Sequence, residues 1–442
     1  MVPKLPLPRI PPAHRLGTTF RALKHRNYQL WFLGQGVSLI GTWMQSMAQQ
    51  ILVYRLTGSA ISLGVVSFMT VLPLLPFTFL GGSLADRLPK RTILLITQSL
   101  MLVQAVVLAL LTWTGIIRVW HIYLMAFLLG LFKAVDTPPR HSFIVEMVEG
   151  KEDLTSAIGL NSTIQNSAKT LGPAIAGVVV AAMGEAVAFL LNSLTFLAVI
   201  ASLLLMRDLP KVQPAQQHKS KMIPHMLEGV KFVFNQQILL ILLSLVAVTS
   251  FLARPYQTLL PVFADNMLKG SAKPVVASIC NGQKPLLNCQ NPEALPLGML
   301  LSAVGIGAVI GAILVASLPE HAQRGRILTL GNLGLPILLL LFVNSKIFIF
   351  SVGIMVLVGI GQVFLNALAN TLLQVTAPDK LRGRVMSQYS LVSQGMRQLG
   401  GLQAGFVADW IGAPLSVGIG AALSLFYGIF VLLRFPKVRE MA

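Results

Sequence analysis

Charge is scarce in this chain. Only 11% of its 442 residues are Asp, Glu, Lys or Arg, and 55% are hydrophobic; a soluble protein carries roughly a quarter charged residues. Acidic residues are scarcer still, at 15 Asp and Glu against 34 Lys and Arg. No zinc-finger spacing, glycine-rich phosphate loop, His/Glu metal cluster or catalytic triad occurs. These absences argue against an enzyme, a metalloprotein and an ATP-driven pump, and no cofactor is expected. The formal net charge of +19 comes without a compact basic domain. We therefore read it as topogenic and lipid-facing rather than as a sign of nucleic-acid binding. The first 27 residues carry Pro3, Pro6, Pro8, Pro11 and Pro12 with six cations but no signal-peptide core or cleavage site. They are expected to form a basic cytoplasmic tail, lying on lipid near Phe20 to Arg26.

What the chain has instead is apolar runs of about 20 residues, the length that crosses ~30 Å of hydrocarbon. Twelve spans are predicted, at 28–54, 59–85, 92–114, 120–136, 161–183, 186–206, 238–264, 297–318, 327–343, 347–369, 389–408 and 414–433. The fold class is thus an all-α membrane protein with both termini on one side. With the N-terminus inside, only Arg55, Arg118, Lys269, Lys273, Lys284 and Lys346 fall in outer loops. Lys133, Lys169, Arg254 and Arg397 lie within spans, and the other 24 of the 34 cations are cytoplasmic. That bias places both ends in the cytoplasm. The expected organisation is a tail (1–27), a six-helix bundle (28–206), a cytoplasmic linker (207–237), a second six-helix bundle (238–433) with an outer loop insertion (265–296), and a second tail (434–442).

The halves share a pattern. Shifting the first by 228 residues puts Lys169 on Arg397, Gly172 on Gly400, Gly177 on Gly405 and Gly184 on Gly412. A matched cation inside two apolar spans favours duplication over chance, and duplicated bundles suit a transporter that rocks about a central site.

The loop after span two reads Gly82-Ser83-Leu84-Ala85-Asp86-Arg87-Leu88-Pro89-Lys90-Arg91. Asp86 ends its own helix, the wrong pole of the dipole for a carboxylate, so it needs a cationic or helix-N-terminal partner. Taken alone, the basic residues read as a solvated topogenic turn. The loop resembles the G-x-L-a-D-R-x-x-basic-basic signature of the major facilitator superfamily, which lies at the same place. The resemblance implies two pseudo-symmetric bundles, with Gly82, Asp86, Arg87, Lys90 and Arg91 as a cytoplasmic latch. Gly172-Pro173 followed by Gly177 resembles the family's fifth-helix antiporter motif; a plain helix bend is the alternative. Phe20-Arg21-Ala22-Leu23, Asn27-Tyr28, Gly41-Thr42-Trp43-Met44-Gln45, Leu56-Thr57-Gly58-Ser59 and Ala188-Phe189-Leu190-Leu191-Asn192-Ser193 are similar to the branch of enterobactin exporters and macrolide-efflux proteins. That likeness implies proton-driven export of siderophores or drug-like amphiphiles across the bacterial inner membrane.

Charges within spans are costly and mark function by default. Lys169, Arg254 and Arg397 are candidates to line one cavity that favours anionic cargo. Snorkelling to the headgroups is the alternative. Gln35, Gln45 and Gln49 in span one are further cavity candidates, and Asp136 with Arg140 is the candidate coupling pair, or a structural one. Cys280 and Cys289 share the outer segment and form a disulfide candidate, with two free thiols as the alternative. The expected partners are a small-molecule substrate, protons and membrane lipid, with no nucleic acid, for a monomeric chain. A lipid or lysolipid translocator and a non-transporting scaffold are competing readings of the same fold.

Overall fold

The computed structural model describes residues 20–207, 231–280, 289–319 and 323–436, and these are helical apart from turns and short connections. In chain order the helices are α1 (Arg26–Thr57), α2 (Ala60–Val71), α3 (Leu74–Arg87), α4 (Lys90–Trp113), α5 (Val119–Glu146), α6 (Lys151–Leu205) and α7 (Gln237–Val248). They continue with α8 (Tyr256–Val262), α9 (Lys269–Cys280), α10 (Ala294–Ala316), α11 (Arg324–Asn344), α12 (Phe348–Thr376), α13 (Asp379–Ile411) and α14 (Ala413–Arg434). Nine helical stretches among the described residues are long and apolar enough to cross a bilayer. Helices suit that setting because they satisfy their backbone hydrogen bonds internally, where no water is at hand.

Helix ends depart from the expected boundaries wherever polar residues carry a helix past its apolar run. The span expected at 120–136 belongs to α5, which continues through Pro138 and Pro139 to Glu146. The spans expected to begin at 161 and 389 belong to α6 and α13, which start at Lys151 and Asp379. The outer insertion is not simply a loop, since it contains α9. Arg21–Lys24 form a turn docked on α6, where Ala22 is fully buried and its N–H donates to Ser156 Oγ at 3.2 Å. Most of the expected linker and second tail lies outside the described residues.

Two corners are made by glycine alone. α6 is broken at Gly184 (φ 83°), and α13 gives way to α14 at Gly412 (φ 89°). Both lie in the region that side chains other than glycine's rarely adopt. The two glycines are the pair that the 228-residue shift aligned. Pro173, by contrast, sits inside α6, whose non-helical residue is Gly184.

Helices α1–α6 pack together, as do α7–α14, and the two groups meet mainly where α6 faces α10 and α2 faces α13. These meetings use small residues, as membrane helices do where van der Waals contact drives association. A methyl on Gly177 would stand 3.0 Å from Gly298 Cα, and one on Gly64 would stand 2.8 Å from the Gly401 carbonyl oxygen. The apolar core has the same plan. One buried cluster joins both groups, running from Met44 through Leu63 to Tyr256 and Leu300. Towards the end of the bundle where α1 begins and α14 finishes, here the near end, each group has a core of its own. The opposite end, with Gly58, Gly184 and Gly412, is the distal end.

Close approach within a group is just as tight. A methyl on Gly307 of α10 would lie 1.9 Å from the Val356 carbonyl oxygen of α12. Gly307→Val should therefore destabilise the protein by about 1–3 kcal/mol through overpacking, read as a lowered thermal midpoint in detergent.

Candidate functional site

Two polar stripes run down the near half of the molecule. On α6, Ser162, Thr163, Asn166 and Lys169 are exposed; on α13, Ser387, Ser390 and Gln394 are exposed and Arg397 is half-buried. Each stripe follows the three-to-four spacing of one helix face, and a polar face of this kind does not belong against lipid. The 228-residue shift carries Ser162 to Ser390, Asn166 to Gln394 and Lys169 to Arg397. Beside the stripes, Gly159, Gly383 and Gly395 have open space where a side chain would stand. One or two turns further, Gly172 meets Trp43 and Ile40 of α1, and Gly400 meets the Phe251 carbonyl. The stripes thus line an opening at the near end, and the two groups come into contact just beyond Lys169 and Arg397, where Gly305 of α10 meets Thr170 and Gly64 of α2 meets Gly401.

Arg254 enters this opening from a distorted turn. Residues Thr249–Ala253 form a π-turn, in which the Arg254 N–H donates to the Thr249 carbonyl at 3.0 Å. Pro255 follows and has no N–H of its own. Such insertions occur often at functional sites. The Arg254 guanidinium donates to Gln362 Oε1 from Nη2 at 2.9 Å and from Nε at 3.2 Å, with the amide oriented by that network, and reaches Asn366 Oδ1 at 3.5 Å. Lys169 makes a long contact to Asn166 Oδ1, also at 3.5 Å. Lys169 feels the charge of both Arg254 and Arg397, and Arg397 that of Arg254. Among the described residues, none of the three cations forms an ion pair with a carboxylate. Gln362 and Asn366 were not singled out from the sequence. The pattern Gln362, Asn366, Asn370, at four-residue spacing along an otherwise apolar α12, was the signal for them.

At the distal end the two groups are sewn together. Asp409 of α13 accepts from Ser59 Oγ and from the Ala60 N–H, both at 2.6 Å, and from the Ile61 N–H at 3.3 Å. The N–H groups of Gln290 and Asn291 both donate to the Ala181 carbonyl of α6, at 2.7 and 2.9 Å. Asn266 Nδ2 donates to Tyr54 Oη at 3.1 Å. Cys280 and Cys289 are joined by a disulfide, so the residue before Gln290 is covalently held to the end of α9.

The transmembrane secretion effector family matches this chain over residues 17–279 and 276–442, essentially its whole length. The chain belongs to that family. It is a multi-pass plasma-membrane transporter of the major facilitator superfamily and not an enzyme. It is 25% identical to the staphyloferrin A transporter of Staphylococcus aureus (strain NCTC 8325 / PS 47), covering 86% of this chain and 89% of that one. It is 22% identical to the enterobactin exporter EntS of Shigella flexneri, covering 94% and 93%. Among solved structures, the nucleoside transporter NupG superimposes with a TM-score of 0.67 at 14% identity, covering 93% of this chain and 99% of that one. A bacterial homologue of the human lysosomal transporter Spinster, inward-facing and unoccupied, gives 0.61 at 13%, covering 94% and 96%. These two likenesses concern the fold alone.

Other residues of the transporter singled out in the sequence sit elsewhere. Gln45 and Gln49 do not reach the opening. Gln45 accepts from Asn192 Nδ2 at 2.6 Å and donates to Gln104 at 3.3 Å, while Gln49 donates to the Ile122 carbonyl at 3.3 Å. They bind α1 to α4, α5 and α6 inside the first group. Gln35 is buried there too. The Asp136 carboxylate, 1% exposed, accepts from Thr97 Oγ1 at 2.7 Å, Gln98 Nε2 at 2.9 Å and Arg140 Nε at 2.7 Å, with a further contact to Arg140 Nη2. This is the geometry of a structural anchor between α4 and α5. In the latch loop, Lys90 pairs with Glu146 and Arg91 donates to the Leu204 carbonyl at 2.9 Å, both within the first group. Arg87 is exposed, and the Asp86 side chain lies outside the described residues. Gly81, rather than Gly82, makes the close approach: its added methyl would meet Val135 Cα at 2.8 Å, and that of Gly82 would meet nothing.

Two outcomes follow from these contacts. Arg140→Ala leaves the Asp136 charge buried with its ion-pair partner gone, and should cost about 3–5 kcal/mol, measured by thermal unfolding in detergent. A maleimide should leave the oxidised protein unmodified and should label Cys289, the more exposed of the two cysteines, after reduction.

Proposed function

We propose that this chain is a secondary active exporter of anionic, siderophore-like small molecules, working by alternating access between two duplicated six-helix bundles. The observation that carries the reading is the group of Lys169, Arg254 and Arg397 at the head of the near-end opening, faced by neutral amides. A lone cation there costs several kcal/mol of solvation, so an anionic solute supplies what the protein withholds. The names of the relatives, a staphyloferrin A transporter and an enterobactin exporter, support siderophores as the solute class.

The proposed topology has twelve spans. The apolar stretches supply nine, the Gly184 break divides α6 into two, and the long, more polar α1 and α13 complete the set. Duplication is supported by the paired glycine corners and the paired stripes. The excess of Lys and Arg at the near end supports a cytoplasmic placement for it, which makes the described conformation open to the cytoplasm and closed outside. The inner latch is disengaged in such a state, in keeping with Lys90 and Arg91 bonding within their own group. Protons are the proposed driving ion, and the working unit is proposed to be a monomer in contact with lipid.

Everted vesicles with an imposed proton gradient test the proposal. Anionic siderophores should be taken up and neutral or cationic drugs should not. Lys169→Gln, Arg254→Gln and Arg397→Gln should each reduce siderophore uptake about 10–100-fold, the worth of one charge-assisted hydrogen bond at 1.5–3 kcal/mol. Wild-type uptake in all three variants at normal expression would overturn the anion reading.

A further inference from the structure

We infer that Asp409 helps to hold the outer gate shut, by capping a helix of the opposite bundle. The inference rests on the alternating-access reading and adds a named gating residue to it.

The first N–H groups of any α-helix have no partner within the helix. In α2 the residue placed to cap them, Ser59, makes no capping hydrogen bond with its own side chain. Asp409 supplies the cap from α13, one oxygen on the Ala60 N–H and the other shared between the Ser59 hydroxyl and the Ile61 N–H. The charge suits this position and no other nearby. Asp409 lies in the last turn of α13, whose own C-terminal pole repels a carboxylate, while the N-terminal pole of α2 attracts one. Glycine corners flank the contact, with Gly58 before α2 and Gly412 after α13.

The contact also lies where gate motion must occur. Below it, α2 and α13 touch through Gly405 against the Ala60 carbonyl and Gly64 against Gly401. Small-residue surfaces such as these fit closely by van der Waals contact, without interlocking side chains or directional bonds. The cap is the directional contact of the seam, and it has to be given up when the bundles separate. Around it is a cavity of about 280 Å³ lined by Tyr54, Gly58, Asn266, Asp409 and Pro414 among others. Water entering there can solvate the carboxylate and the freed N–H groups once the seam opens.

The test uses accessibility from each side of the membrane. The two native cysteines are disulfide-bonded, so an introduced cysteine is the sole reporter. Thr258→Cys reports on the outer gate, since Thr258 stands against Gly401 behind the seam. Asn166→Cys, on the α6 stripe, reports on the inner opening. In intact cells, an impermeant maleimide should label Thr258→Cys at least fivefold faster when Asp409→Ala is added. Asp409→Asn, which keeps an acceptor but loses the charge, should give a smaller rise. In everted vesicles, labelling of Asn166→Cys should slow in parallel. A merely destabilised protein would instead become more reactive at both ends, which would overturn the inference. So would labelling within twofold of the parent in a folded Asp409→Ala protein; if that variant fails to fold, Asp409→Asn decides by the same threshold. Failure of alternating access itself would look different: Thr258→Cys would stay unreactive from outside in every variant, even during siderophore export.

Discussion

Everything in this molecule answers to one constraint: inside a bilayer, water is not there to satisfy a polar group. Backbone groups meet it through helices. Side-chain polar groups meet it by pairing, as Asp136 does with Thr97, Gln98 and Arg140, or by facing an aqueous opening, as the α6 and α13 stripes do. The same constraint removes the hydrophobic drive for helices to associate, since lipid tails are as apolar as leucine. Close glycine contacts take its place. They appear where α6 meets α10, where α2 meets α13, and within each group.

The constraint also sorts the polar residues by job. Glutamines of α1 look like ligand groups in a sequence because amides are rare in spans. Gln45 and Gln49 are instead joints between helices, each bonded to another amide or to a carbonyl. Gln362 looks no different in sequence, yet it faces Arg254. What separates the two cases is the neighbour across the helix interface, and a single sequence does not encode that neighbour. Charge is more informative than amide content: a cation without an acidic partner has few places to go other than water.

The fold was largely legible. Apolar runs located the spanning stretches, and the aligned Gly184 and Gly412 proved to share one backbone conformation. Boundaries were poorly legible where helices α5, α6 and α13 run on beyond the expected spans in polar sequence, because hydropathy reports the solvent around a helix and not where the helix stops. The candidate site was legible in part. Lys169, Arg254 and Arg397 were picked out by the cost of charge in lipid. Asp409 was visible only as a carboxylate at a span end, since its role depends on Ser59 to Ile61, some 350 positions away in the chain. Cross-bundle pairing of that kind leaves no periodic trace.

The glycine corners have a mechanical consequence. At Gly184 and at Gly412 one helix passes into the next through a single residue, with no slack between them. A push on the stem of either helix is therefore delivered to its successor as a tilt and is not absorbed by a yielding connector. Each such pair has the shape of a bent lever, with its elbow at the distal end and its polar stripe towards the near end. A displacement at Lys169 or Arg397, on the long arm, would therefore turn the elbow itself.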